Sequence, residues 1–470
     1  MKYNSIHDIH TAYKQKKLTV RQLVLIYLSR IAETDKCEGG LNSVIEINPD
    51  ALFIADMLDE KLKNDEEMPP LFGIPVLLKD NISTGDKMHT SAGSVALADN
   101  YALFDAHIVK RLREAGALIL GKANMIEFAN YMADNMPLGY SSRGGQTFNA
   151  YDRAATPSGS STGSAVAVSA NLCVVAVGTE TCGSIISPSK ANGIVGIKPT
   201  LGLLSRHGII PISFTLDTPG PMARTVADAA ILLGAMAGKD DNDAATSSSQ
   251  QMDYMKYLDK NGLKKARIGI SRMFLENANE EQLAIMENAI SVMRENGAKC
   301  IELPEHDLSS GSKFAPIMKY EFKCGINNYL ASLANKGNVP KTLQEIILYN
   351  QNNAKEALKY GQNTLINAQI HASGALTEPE YINVMLEREE IIHGFDSIFL
   401  ENKVDVIFSL AGTGLPALTG FPSMTIPIGM TKDNLPFGSF WIARRHDETA
   451  LLKVAYAVEQ ILGLDLKPCS

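Results

Sequence analysis

Three short stretches carry side chains that could do chemistry. In VGTETCGSIISPS, Val177–Ser189, the apolar run Cys173–Val177 reads as a short buried strand feeding a turn of small residues that ends at Ser184. A serine presented there is a candidate nucleophile, because small residues let the backbone approach a substrate and successive N–H groups can hold a developing oxyanion. The same letters fit a plain strand-to-loop turn with a polar cap. In LFGIPVLLKDN, Lys79 follows Val76, Leu77 and Leu78, so a strand could carry it out of water, where its neutral, basic form is favoured. A solvated lysine at a strand end, paired or not with Asp80, also fits this segment. In TPSGSSTGSAVAVSAN, Ser160 and Ser161 precede a run of Ala, Val and Ser suited to a closely packed helix, which either serine could cap. Gly159, Ser161 and Gly163 match the G-x-S-x-G pattern of a nucleophile elbow. An elbow needs a strand directly before its serine and a histidine base. Here a proline-bearing polar loop precedes, and no histidine stands out.

The elements around these stretches suggest how they are positioned. TVRQLVLIYLSRIAET (Thr19–Thr34) and NPDALFIADMLDEKLKN (Asn48–Asn64) have helical spacing, and DAHIVKRLREAGALILGKANM reads as helix, glycine stop and parallel strand. EFANYMADNMPLGYSSRGGQTFNAYDR is long, polar and glycine-rich, as functional loops often are. Beyond it, TVADAAILLGAMAG predicts an amphipathic helix and GKDDNDAATSSSQQ a surface loop. KARIGIS and KCIEL predict strands flanking a helix; about 312–402 is mainly helical and is expected to cover the sheet, and 403–465 returns to strands and a last helix. With no repeat or linker to split it, the chain of 470 residues reads as a single domain, 1–470, of α/β class.

Composition narrows the function. Hydrophobic residues make up 45% and charged residues 20%, which suits a large soluble core. The net charge of −8, from 52 acidic and 44 basic residues mixed along the chain, leaves no basic stripe for nucleic acid. No apolar run is long enough to span a bilayer and the N-terminus lacks a signal-peptide core, so a cytoplasmic protein is expected. Cys37, Cys173, Cys182, Cys300, Cys324 and Cys469 show no paired spacing, which predicts reduced thiols and neither a disulfide framework nor a zinc site.

The run from Ser158 through SGSSTGSAVAVSANLCVVAVGTETCGSIISPSKANGIVGIKPT to LDTPGPMARTVADAAILL resembles the signature region of the amidase signature family, including its G-[IV]-x-G-[IL]-K-P-T and D-x-x-G-P-M-A-R-[ST] pieces. The resemblance reaches back through GIPVLLKDN and GALILGKANMIEFAN and forward to GFPSMTIPIG. SSRGGQTFNAYD, VGTETCGSI and SRHGIIPISFTLDTPGPMAR look most like the peptide amidases, which release ammonia from C-terminal peptide amides. The resemblance implies a large twisted mixed β-sheet covered by helices on both faces, with a signature core at about 70–235.

It also implies a Ser-cisSer-Lys triad of Ser184 as nucleophile, Ser160 as bridging serine after a cis peptide bond, and Lys79 as base. The oxyanion would be held by backbone N–H groups of Thr181, Cys182, Gly183 and Ser184, and Asn130 matches a substrate-contacting asparagine. No metal or organic cofactor is required. Favoured substrates would be C-terminal peptide amides; the alternatives are other small aliphatic or aryl amides, or a partner-dependent chain like the amidotransferase component that delivers ammonia to glutamyl-tRNA. Four departures stand out: Glu180 for the usual aspartate, Cys182 for a glycine, Ile186 for the usual arginine, and a short AGTGLPALTGFP where relatives have a longer proline-bearing segment, which would open the acyl pocket.

Overall fold

The computed structural model describes residues 3–63, 68–273, 275, 278–304, 313–333 and 339–468. Asn64, residue 312 and Cys469 lie outside them. Among the described residues, eleven strands form one mixed sheet, in the spatial order Val44–Ile47, Leu118–Ala123, Pro75–Lys79, Val175–Glu180, Thr218–Ala223, Val195–Lys198, Ser423–Thr425, Phe440–Ala443, Val406–Ser409, Arg267–Ile270 and Lys299–Glu302. Every residue of Pro75–Lys79, Leu118–Ala123, Val175–Glu180 and Thr218–Ala223 is buried, so both faces of the sheet are covered there by helices. Pro75–Lys79 runs parallel to both its neighbours. Such pairs need crossovers, which contain the helices His107–Glu114 and Thr162–Ser169.

The structure changes three sequence expectations. The strand feeding the Ser184 turn starts at Val175 and continues past Val177 to Glu180. Its polar end is drawn into the sheet because Thr179 and Glu180 pair with Pro219 and Thr218 across an antiparallel ladder. The helix Val226–Met236 buries nine of its eleven residues and is not amphipathic, since it is packed between the sheet and the C-terminal helix Glu448–Leu462. In the expected surface loop, Asp240 and Asp243 are buried, accepting hydrogen bonds from Ser205 Oγ at 2.6 Å and from Arg206 Nε at 2.8 Å.

The helical region divides in two. The long helix Pro379–Asn402 packs Ile392, Phe395 and Phe399 on Ile407, Phe440 and Ile442 of the sheet. Phe314–Ala331 and Leu343–Asn352 instead pack on the connecting segments, placing Phe322, Ile326 and Ile346 against Leu97, Ile126 and Phe128. They brace the long polar segment beside the site. No helix among the described residues is long and apolar enough to cross a membrane.

Candidate active site

Lys79 ends the central strand Pro75–Lys79 and is fully buried. Its Nζ lies 2.8 Å from Ser160 Oγ and donates to the Thr179 carbonyl at 3.0 Å. Burial pushes the ammonium down from the ordinary lysine range to about 7, opposed by the nearby Asp217 and Glu180 carboxylates. Asp80 does not pair with it. That carboxylate accepts from Ser91 Oγ, from the Gly93 N–H at 2.9 Å and from Arg143 at 3.4 Å, leaving Lys79 without an adjacent counter-ion.

The peptide bond between Gly159 and Ser160 is cis, and Ser160 is 1% exposed. The Ser160 carbonyl accepts from the Ile126 N–H at 3.1 Å. Ser161 has a different place. Its Oγ donates to the Thr179 carbonyl at 2.9 Å and accepts from the Thr179 N–H at 3.1 Å, so the elbow serine is buried and engaged by backbone. Its N–H donates to the Ser184 carbonyl at 3.1 Å, tying the two serine segments together. Gly163 belongs to helix packing: a Cβ there would sit 2.3 Å from the Ser43 carbonyl oxygen.

Ser184 closes the turn that follows Glu180. Gly183 has φ +77°, a conformation that glycine adopts without penalty, and the Ser187 N–H donates to its carbonyl at 2.8 Å. The N–H groups of Thr181, Cys182, Gly183 and Ser184 make no hydrogen bond within the described chain. Neither does the Ser184 hydroxyl, and no hydrogen bond joins it to Ser160. Four free donors and a free hydroxyl thus share one turn. Glu180 Oε2 accepts from the N–H groups of Ile185 at 2.7 Å and Ile186 at 3.0 Å, which supplies the hydrogen bonding behind Ser184 in a chain with no arginine at 186.

A cavity of about 350 Å³ adjoins this turn, with Asn81, Thr179, Thr181, Ile212, Asp217 and Tyr329 among its lining residues. Thr181 Oγ1 donates to Asp217 Oδ1 at 2.6 Å, while Asp217 Oδ2 accepts from the N–H groups of Ile212 and Ser213 at 2.8 and 3.0 Å. Burial pushes the Asp217 carboxyl up to about 6. Sequence reading passes over Thr179, Asp217 and the Thr181 side chain. The signal available is an aspartate inside an otherwise small and apolar LDTPG stretch.

Asn130 is exposed and ends a left-handed turn in which Phe128, Ala129 and Asn130 all have positive φ; it makes no hydrogen bond to Lys79, Ser160 or Ser184. Cys182 is partly buried, and burial together with Glu180 pushes its thiol up to about 12. The short segment after Leu410 forms the helix Gly414–Thr419 and brings Thr413 beside the Ser184 turn, where a Cβ on Gly183 would lie 3.1 Å from Thr413 Oγ1.

Comparison with known proteins places the chain in a family. The family model described as Amidase matches residues 22–416. A peptide amidase from Stenotrophomonas maltophilia, known from its crystal structure, is 38% identical, with a TM-score of 0.93 covering 99% of this chain and 98% of that one. A probable amidase from Arabidopsis thaliana is 39% identical over 97% of this chain and 89% of its own length. The A component of the glutamyl-tRNA(Gln) amidotransferase of Alkaliphilus metalliredigens is 34% identical over 98% of this chain and 96% of its own. The chain belongs to the amidase signature family and is an amidase.

Proposed function

We propose that the chain hydrolyses carboxamides to carboxylate and ammonia through Ser184, Ser160 and Lys79, with C-terminal peptide amides as its favoured substrates. The observation that carries this reading is the fully buried Lys79 with its nitrogen 2.8 Å from Ser160 Oγ. In its neutral form the amine keeps one N–H on the Thr179 carbonyl, and its lone pair is free to accept the Ser160 proton.

Ser184 Oγ attacks the amide carbon as its proton passes to Ser160 Oγ and the Ser160 proton passes to Lys79 Nζ. The new oxyanion is held by the free N–H groups between Thr181 and Ser184; a single such donor is worth about 3 to 4 kcal/mol. The C–N bond then breaks as the relay returns a proton to the departing ammonia, leaving an ester on Ser184. Water, deprotonated along the same route, hydrolyses that ester. No step calls for a metal or organic cofactor.

The likeness to the peptide amidase of Stenotrophomonas maltophilia supports the substrate class, and Asn130 is the residue assigned to contact the peptide. Five described cysteines without a disulfide fit a cytoplasmic setting. The likeness to an amidotransferase component favours a second reading, in which a partner presents the acyl acceptor. A panel of C-terminally amidated peptides and simple amides, assayed for ammonia with the purified chain, separates the readings. Release from peptide amides supports the first; release only from simple amides removes the substrate class, and release only with an added partner favours the second.

A further inference from the structure

We propose that Glu180, backed by the buried cation of Lys198, is a positioning residue that holds the oxyanion turn in its working shape. This rests on Ser184 being the nucleophile. Glu180 is 1% exposed, and its Oε2 bridges the Ile185 and Ile186 N–H groups at 2.7 and 3.0 Å. The carboxylate therefore closes a ring from residue 180 to residues 185 and 186 around the four residues whose N–H groups are free. With this tie in place, the Ile185 and Ile186 N–H groups are occupied, so the short helix Ile186–Ala191 does not extend back through the turn by bonding to the Thr181 and Cys182 carbonyls.

The other oxygen, Oε1, is buried without a hydrogen-bond partner. A buried carboxylate in that condition needs compensating charge. Lys198 supplies it. Lys198 is 1% exposed, ends the strand Val195–Lys198, is in no ion pair among the described residues, and donates only to its neighbour's carbonyl, Pro199 O at 3.1 Å. The groups that act electrostatically on Lys198 are Glu180, Glu448, Cys182 and Arg445. Glu180 also faces Cys182 and Lys79, and Lys79 in turn feels Asp217 and Glu180. Glu180 thus has two separable effects: the reach of its oxygen shapes the turn, and its charge favours the protonated form of Lys79.

Two variants separate these effects when kcat, KM and the pH profile of amide hydrolysis are measured for the full chain. Glu180→Asp keeps the charge but is one methylene too short to span both N–H groups. It should lower kcat about tenfold with KM within about threefold and leave the acid limb in place. Glu180→Gln keeps the reach but loses the charge, so Lys79 should lose its proton more readily and the acid limb should move to lower pH by about half a unit or more. A Lys198→Met variant and its combination with Glu180→Gln complete a cycle, in which the double variant should lose clearly less than the product of the two single losses.

Normal kcat in both Glu180 variants, a loss confined to KM, or multiplicative losses in the cycle would each overturn the inference. Should Glu180→Asp fail to fold, the pH profile of Glu180→Gln and the cycle still decide it. Ser184→Ala, run alongside, tests the nucleophile assignment separately: turnover surviving there strikes that assignment, whereas unaffected Glu180 variants strike only the inference.

Discussion

Lys79 Nζ stands 2.8 Å from Ser160 Oγ at the end of a fully buried strand, with no carboxylate in ion-pair contact. The proposed relay requires the neutral amine, and burial pushes its pKa down to about 7. Activity should therefore rise with pH through about 7 and fall on the acid side as Lys79 takes up a proton. A pH profile of kcat/KM checks this; a profile flat from pH 5.5 to about 8.5 contradicts it.

The same shift has a stability consequence. The folded value, about 7, lies below the unfolded value of 10.5, so between them the unfolded chain binds more protons and stability rises with pH through that window. Below the folded value the full cost of the buried lysine is felt. Lys79→Met should remove activity yet raise stability near neutral pH, by at most about 4 kcal/mol. Thermal or urea unfolding at pH 7 measures it, and a clearly destabilised Lys79→Met would contradict it.

Ser161 and Ser160 are neighbours with different fates. Ser161 Oγ is held on both sides by the Thr179 backbone. Ser161→Ala should cost about 1 to 3 kcal/mol of stability while the folded fraction keeps most of its turnover. Ser160→Ala should reduce kcat at least about a hundredfold with little change in melting temperature. Paired kinetics and melts on the two variants test this contrast, and an inactive but well-folded Ser161→Ala would reverse it.

Gly183 combines φ +77° with close neighbours, Ser187 Oγ and Thr413 Oγ1, at 3.0 and 3.1 Å from where a Cβ would sit. Gly183→Ala should lose about 1 to 2 kcal/mol from the backbone alone and misalign the N–H donors, lowering kcat by about 10²-fold or more. Kinetics beside an unfolding curve would show both losses; a Gly183→Ala enzyme with normal kcat would mean the turn is not the oxyanion site.

The Cys182 thiol, pushed up to about 12, carries almost no thiolate at neutral pH. Iodoacetamide should label the exposed Cys37 first and leave activity intact. Peptide mapping against residual activity checks this, and inactivation in step with Cys182 labelling would contradict it.

Much of the site is legible because it is local in sequence. A hydrophobic run carrying a lysine, a small-residue turn ending in serine and a serine pair before a buried helix each stand out in the letters alone. What stays hidden depends on distant pairing. The strand extends to Glu180 only because Thr218 and Pro219 lie alongside it. Asp217 enters the site through Thr181, 36 residues away in the chain. The acidic loop near Asp240 reads as solvated for the same reason, whereas the Asp240 and Asp243 carboxylates accept from Ser205 and Arg206. Ser161 matches a local nucleophile pattern, and only the fold shows its hydroxyl engaged by Thr179.

The most direct test of the account is to quench the enzyme during turnover of an amide substrate and locate any covalent adduct by intact mass and peptide mapping. The account predicts one acyl group on the peptide containing Ser184, absent from Ser184→Ala, which should also release ammonia at least about 10³-fold more slowly. An acyl group mapped to Ser161, or undiminished turnover by Ser184→Ala, would contradict it.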